Sequence, residues 1–296
     1  MASVSATRPI VVGYDGSDPS EAALQWAARA ADHQGRKLVI LHAAERITYT
    51  QDAGSGLWKN EDVIADAKEL AGEGRNKVLE AFPDLEVDVA GSLFSAKVAL
   101  GERSTTASMM VLGSQGRGKI GALLLGSTAY SVAGYSRCPV VVVRAGAGND
   151  TLPGPGKPVV VGMNGTGGSE RAVDTGAEVA REWGAPLLVA TVWTPPSGKR
   201  KPAGYDSVEA ASAAHQAAAE KANADILERA AAAHTDIQVE GTVIEGHPIE
   251  GLIEAGEKGG LLVVGTHGQG SMAGSSLGYT TLGVLSQSSA PVMVVD

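Results

Sequence analysis

The sequence predicts an α/β protein built from two tandem, doubly wound parallel sheets with five strands each. Short apolar runs alternate with segments of helical periodicity in the order β-α-β-α-β-α-β-α-β, and this order occurs once in each half of the chain. The runs are continuously apolar, which is typical of strands covered by helices on both faces. The third observation is an internal repeat that relates the two halves.

The repeat is visible as matched groups at a nearly constant offset. The Asp15-Gly16-Ser17 group recurs 149 residues later as Asn164-Gly165-Thr166, and Ala43 recurs as Val192 at the same offset. Gly113 and Gly116 recur 152 residues later as Gly265 and Gly268. We therefore predict a duplicated domain, with domains at residues 1–147 and 156–296 joined by a segment rich in glycine and proline.

The first half supplies five strands and four main helices. The predicted strands are residues 9–14, 38–43, 85–89, a run ending at Gly113, and 140–143. The predicted helices are residues 20–33 with Ser20 as the N-cap, 61–81, 96–103 and 127–136, while residues 45–60 are predicted as a surface loop.

The second half repeats this order. Its predicted strands are residues 159–163, 187–192, 237–244, 261–265 and 292–295. Its helices are predicted to begin near Ser169, Val208, Pro248 and Thr280.

Composition excludes several classes of function. The formal net charge is −9 and aromatic residues make up 4% of the chain, so binding to a nucleic acid is not expected. The single cysteine, Cys138, excludes an intrachain disulfide and is predicted to be a small buried side chain. With no apolar run long enough for a signal peptide or a membrane helix, a soluble cytoplasmic protein is expected.

A glycine loop after the fourth strand is the main candidate site. Gly113 and Gly116 precede Gly126, and Ser127 and Thr128 follow it directly. Bare backbone N–H groups and a helix start form a favourable place for an anion, so the spacing predicts a phosphate site. The alternative is a tight strand-to-helix connection without a ligand.

The end of the first strand is predicted to face the same crevice. If the first strand lies beside the fourth, Asp15 and Gly113 both lie beyond carboxyl ends of strands, where ligands of such sheets bind. Asp15 accepts hydrogen bonds and suits an adenine amine or a ribose hydroxyl, with Ala43 and Val111 as an apolar wall for the base. The alternative role for Asp15 is to hold the Gly16–Ser17 turn.

Other motifs leave open how the site would act. Arg117 and Lys119 could add positive charge or simply be solvated. The G-x4-G-K pattern resembles a P-loop, but Ile120 stands where a magnesium-binding hydroxyl is needed. With no general base evident beside a nucleophile, we expect a nucleotide-binding protein rather than an enzyme. A slow ATPase or related α/β hydrolase, and a ligand-free interaction module, remain the alternatives.

In these residues the chain resembles the universal stress protein family. The family's ATP-binding motif is G-x2-G-x9-G-[ST], which Gly113, Gly116, Gly126 and Ser127 match in full, and Asp15 stands at the family's adenine-contacting position. The resemblance covers both halves. It implies a Rossmann-like sheet of strand order 3-2-1-4-5 and a role in stress response. It also implies ATP as the ligand, with AMP or ADP as alternatives and Mg²⁺ accompanying the nucleotide.

The resemblance also implies pairing of the two domains as an intrachain pseudo-dimer, with a homodimer as a further option. The second copy departs from the motif. Asn164 replaces the aspartate, and Tyr279 stands after Gly278 where a serine or threonine is expected, next to Thr280. We therefore predict that the second site, with Gly265, Gly268 and Val192, is weaker or uses Thr280 as the substitute hydroxyl.

Overall fold

The computed structural model describes residues 8–45, 59–116, 124–146, 152–163, 167–196, 202–267 and 276–296. The chain divides into two compact units, Met1–Asn149 and Asp150–Asp296. Within the described ranges each unit contains five strands and four helices, which alternate from its first strand to its last. The predicted surface loop at residues 45–60 lies largely outside these ranges.

Unit one is a parallel sheet with helices that connect its strands. Its elements are β1 (Ile10–Gly13), α1 (Asp18–Gln34), β2 (Leu38–Ala43), α2 (Asn60–Ala81), β3 (Val87–Ser92), α3 (Ala96–Arg103), β4 (Met109–Gly113), α4 (Ser127–Tyr135) and β5 (Val140–Val143). The strand order is β3-β2-β1-β4-β5. The doubly wound architecture and its 3-2-1-4-5 order are therefore confirmed.

The register of unit one decides where its loops meet. β1 lies between β2 and β4, with Ile10 paired to Leu38 on one side and to Met109 on the other. All four residues of β5 are buried, as the continuously apolar runs predict. Because β1 and β4 are direct neighbours and parallel, the loops after Gly13 and after Gly113 leave the same edge of the sheet side by side.

Unit two repeats the architecture. Its elements are β6 (Val159–Met163), α5 (Gly167–Trp183), β7 (Leu187–Trp193), α6 (Val208–Ala233), β8 (Val239–Glu245), α7 (Pro248–Glu257), β9 (Leu261–Gly265), α8 (Tyr279–Gln287) and β10 (Val292–Val295). Its strand order, β8-β7-β6-β9-β10, is the same as in unit one when read from the third strand to the fifth.

Two details differ from the sequence prediction. Helix α1 begins at Asp18 with Ser17 as its N-cap, so the prediction of Ser20 as the cap is wrong. Ser20 is buried instead, where its hydroxyl donates to the carbonyl oxygen of Ser17 at 2.9 Å and accepts from the Asp15 N–H at 3.3 Å. The third strand of each unit begins two residues later than predicted, at Val87 and at Val239.

Cys138 is half-buried and has no disulfide partner. Burial raises the pKa of its thiol to about 11. Because the thiolate is the reactive form, alkylation of the folded protein by iodoacetamide at about pH 7.5 is expected to be at least tenfold slower than alkylation of the urea-unfolded chain. Mass spectrometry over time measures both rates, and equal rates would contradict a buried thiol.

In the part of the chain that the structure describes, none of the helices is both long and apolar enough to cross a membrane.

Candidate functional site

A cavity of about 840 Å³ opens at the carboxyl ends of β1, β2 and β4 in unit one. The carboxyl ends of these strands, together with the loops that follow them, supply most of its wall, and helices α1, α2, α3 and α4 complete it. This is the edge at which open parallel sheets bind their ligands. Asp15, Ala43, Gly113, Gly116, Gly126, Ser127 and Thr128, all predicted from the sequence, line this one cavity.

The glycine loop is closed at its base by one backbone hydrogen bond and by one hydrogen bond from the side chain of Gln115. The N–H of Gly126 donates to the carbonyl oxygen of Ser114 at 2.8 Å, and the amide of Gln115 donates to the carbonyl oxygen of Leu124 at 2.6 Å. Helix α4 starts directly behind this closure, and its first N–H groups have no partners within the helix. An anion in the cavity would therefore meet N–H groups that the helix itself does not use, and the positive end of the helix dipole.

Protein atoms, rather than open space alone, explain the glycines of the motif. A Cβ atom on Gly113 would lie 2.6 Å from the backbone carbon of Pro19, and one on Gly126 would lie 3.3 Å from the carbonyl oxygen of Ser114. A Cβ atom on Gly116 would lie 2.8 Å from the Oδ2 atom of Asp15. Close packing within the protein is therefore one reason for glycine at these positions, beside the approach of a ligand that the sequence predicts.

Asp15 links the two loops that meet at the cavity. Its Oδ1 atom accepts hydrogen bonds from the N–H of Ser17 at 3.1 Å and from the hydroxyl of Ser17 at 2.5 Å. Its Oδ2 atom lies against Gly116, across the boundary between β1 and β4. Asp15 therefore holds the turn before α1, the role given above as the alternative, and also presents a carboxylate oxygen at the cavity wall.

The apolar wall is only partly as predicted. Ala43 lines the cavity, but Val111 is fully buried inside the sheet, where it pairs with Val12 and Val141. The expectation that Val111 contacts a base is therefore wrong. The next residue, Leu112, lines the cavity instead, because successive side chains of a strand point to opposite faces of the sheet. Leu41, Leu70 and Leu100 add to the apolar wall.

Besides Tyr14, three ionisable residues of the wall were not predicted as site residues. His42 and Glu45 lie at the exit of β2, and Asp66 lies on α2. The Nδ1 atom of His42 is 2.7 Å from the carbonyl oxygen of Tyr14, which can only accept, so this nitrogen carries the proton. The available sequence signal was position: His42 lies near the end of the predicted strand 38–43 and Glu45 follows that strand, whereas nothing local marked Asp66.

Unit two differs at the corresponding positions. The side chain of Val192 packs against helix α7, where a Cβ atom on Gly251 would lie 2.9 Å from its Cγ1 atom. The loop after Gly265, the last residue of β9, closes as in unit one, because the N–H of Gly278 donates to the carbonyl oxygen of Thr266 at 2.8 Å. The tandem repeat therefore keeps the backbone frame and changes the side chains.

The start of helix α8 carries an aromatic side chain instead of a small hydroxyl. Tyr279 is 75% exposed, and its ring meets the ring of His247 edge to face with centroids 6.4 Å apart. Thr280 follows it and is half-buried. The next residue, Thr281, donates its hydroxyl to the carbonyl oxygen of Gly265 at 2.7 Å, which sequence reasoning did not anticipate.

Three predicted site residues, Arg117, Asn164 and Gly268, lie outside the described residues, as does Lys119. Within the described ranges no group of three or more histidine, cysteine, aspartate or glutamate residues is arranged to hold a metal ion.

The model of the universal stress protein family matches this chain twice, over residues 6–144 and 156–296. The chain belongs to the universal stress protein family. A universal stress protein of Mycolicibacterium smegmatis is 30% identical to it over 298 residues, which cover 97% of this chain and 96% of that relative. The match thus extends over two consecutive universal stress protein domains.

Solved structures agree on the architecture. A universal stress protein of Archaeoglobus fulgidus, 20% identical, superimposes with a TM-score of 0.67 over 99% of both chains. A universal stress protein solved in complex with cAMP is 28% identical and covers 47% of this chain and 96% of its own, with a TM-score of 0.35. The first of these likenesses shows that the universal stress protein fold extends over both units.

Proposed function

We propose that unit one binds an adenine nucleotide, ATP in the first place, and that the protein acts through this nucleotide in stress response and regulation. The cavity of about 840 Å³ at the carboxyl edge of the sheet carries the proposal, because it joins Asp15 to the glycine loop and to the start of α4. This volume is in the range of small-molecule sites.

The distribution of polar groups supports a ligand with one anionic end. On the β4 side the wall offers donors: the backbone N–H groups at the start of α4 and the hydroxyls of Ser127 and Thr128. On the side of β1, β2 and α2 it offers the carboxylates of Asp15, Glu45 and Asp66. Phosphates suit the first side, and a base or ribose that donates hydrogen bonds suits the second. AMP and ADP satisfy the same distribution, and Mg²⁺ would accompany a bound triphosphate.

We further propose that the nucleotide is held without efficient turnover. Among the described residues of the wall, His42 is the one imidazole, and its Nδ1–H donates to the carbonyl oxygen of Tyr14. It lies at the exit of β2, whereas the phosphate end is assigned to the exit of β4, two strands away. A general base must be within hydrogen-bond reach of the attacking water, which this separation does not favour.

A ligand-free interaction module is the rival function, and one observation favours it. Pro19, Asp15 and Ser114 already account for the three glycines of the motif by contacts within the protein. The two functions are separated by titrating the full-length protein with ATP, AMP and cAMP in a calorimeter, and by extracting nucleotide from protein purified without added ligand. We expect intact ATP in the extract. An empty extract, no heat and an unchanged melting temperature would favour the rival.

Replacement of Asp15 tests the base end of the site. Asp15→Ala is expected to weaken ATP binding by about 1–3 kcal/mol, because a carboxylate acceptor is lost from the wall. Ser17→Ala is the matched control, since it removes the hydroxyl that Asp15 holds but keeps the carboxylate. If both variants lose the same affinity, Asp15 acts through the turn and not through the ligand.

The second unit is expected to bind the nucleotide more weakly than the first. Tyr279→Ser restores a small hydroxyl at the start of helix α8 and should raise the affinity of the weaker site roughly threefold, a gain within the range for one neutral hydrogen bond. Thr280→Ala should lower it if this hydroxyl substitutes. Calorimetry resolves the two sites, and two equal sites unaffected by Thr280→Ala would contradict this prediction.

A further inference from the structure

The two carboxylates that sequence analysis missed lie together on one side of the cavity. Asp66 faces the cavity from α2 in company with Ala67 and Leu70, and Glu45 faces it from the exit of β2. The strand order places β2 on one side of β1 and β4 on the other. The carboxylates of Asp66 and Glu45 and the donors of the glycine loop therefore occupy opposite sides of the same cavity.

This arrangement makes the two sides of the cavity chemically different, with hydrogen-bond acceptors on one side and donors on the other. Ionised carboxylates only accept hydrogen bonds and repel phosphates, while the N–H groups at the start of α4 favour them. Both Asp66 and Glu45 are exposed, so they lie at the mouth rather than at the floor. Each carboxylate has about four lone-pair positions, so a contact within the protein still leaves acceptor capacity for a ligand.

Unit two shows that the fold does not need these carboxylates. Helices α2 and α6 end alike, with Phe82 at φ −132° and ψ 73° and His234 at φ −125° and ψ 65°. Asp66 and Ala218 precede these two caps by the same number of residues, so Ala218 is the counterpart of Asp66.

The counterpart of Glu45, counted from the paired strand starts Leu38 and Leu187, is Thr194. The hydroxyl of Thr194 donates to the carbonyl oxygen of Gly246 at 2.9 Å, a contact within the protein. The acidic side of the cavity is thus a property of unit one and not a requirement of the architecture.

We propose that Asp66, supported by Glu45, determines the base specificity of unit one by accepting a hydrogen bond from an exocyclic amine at the end of the ligand away from the phosphates. This inference rests on the proposed nucleotide function and deepens it. It assigns the choice of an aminopurine to a helix that carries no part of the glycine motif.

The test compares two ligands that differ only in the amine. Calorimetric titration of the full-length protein uses ATP and purine riboside 5′-triphosphate, which lacks the exocyclic amine. We expect the wild type to prefer ATP, and Asp66→Ala to lower this preference by roughly three- to tenfold, the range for a charged hydrogen bond discounted for exposure. Asp66→Glu should restore part of the preference.

The ratio of the two affinities separates recognition from general effects. Loss of a negative charge changes the affinity for both triphosphates alike and leaves their ratio unchanged. Glu69→Ala is the matched control, because it removes the same charge from an exposed position of α2 that does not line the cavity.

An unchanged ratio in Asp66→Ala, with ATP still bound, would overturn the inference and leave the proposed function standing. Failure of the wild type to bind either triphosphate would overturn both.

Discussion

Gly116→Val is expected to lower the affinity of unit one for ATP at least a hundredfold, which corresponds to about 3 kcal/mol. The first added carbon would lie 2.8 Å from the Oδ2 atom of Asp15, and the two methyl groups of valine add further bulk beside it. Either the carboxylate or the glycine loop must move, and both line the cavity. Calorimetric titration with ATP measures the loss.

A matched control distinguishes this steric effect from a general effect of valine. Gly72→Val places the same side chain on helix α2, where a Cβ atom meets nothing within 4 Å. We expect its ATP affinity to equal that of the wild type. Gly116→Ala should lie between the two, since one methyl group displaces the carboxylate less. If Gly116→Val binds ATP with wild-type affinity, the contact between Asp15 and Gly116 has no role in nucleotide binding.

Gly113→Ala is expected to destabilise unit one by about 2–3 kcal/mol, the upper part of the range for overpacking. The added carbon would lie 2.6 Å from the backbone carbon and 2.7 Å from the carbonyl oxygen of Pro19. Backbone atoms cannot rotate away as a side chain can, so helix α1 must shift from strand β4. Urea unfolding followed by circular dichroism measures the change in the free energy of unfolding.

Gly13→Ala is the control for this prediction. Its added carbon would lie 2.7 Å from the Cδ2 atom of Leu112, the end of a flexible side chain that can change rotamer. We expect a smaller loss, about 1 kcal/mol. If the two variants lose equal stability, the close approach of Pro19 is not the reason for a glycine at position 113.

Most of the architecture could be predicted because short apolar runs in the sequence directly indicate buried strands. β4 and β5 lie where the sequence placed them, since a continuously apolar run between turn residues has few other stable solutions. The start of α1 was misplaced because Ser17 and Ser20 are both good caps by type. Hydrogen bonds of Asp15 distinguish the two serines in the structure: its Oδ1 atom accepts from the N–H of Ser17, and its own N–H donates to the hydroxyl of Ser20.

The candidate site could be predicted only as far as a local motif reaches. Gly113, Gly116 and Asp15 stand next to strand ends, and the neighbouring positions of β1 and β4 bring them together. Asp66 has no such marker, because a carboxylate on an amphipathic helix is the ordinary pattern of a solvated face. It reaches the cavity only through the packing of α2 beside β2 and β3.

By itself the sequence determined the duplicated α/β architecture, the strand order through its family resemblance, and the glycine loop as a candidate site. These properties depend on residue types at short spacing, where backbone geometry leaves little choice. The tertiary structure decided which atoms crowd each glycine, why Val111 is buried on the face of the sheet opposite to Leu112, and how Asp66 and Glu45 come to oppose the glycine loop. Those outcomes depend on contacts between segments far apart in the chain, and no local pattern records them.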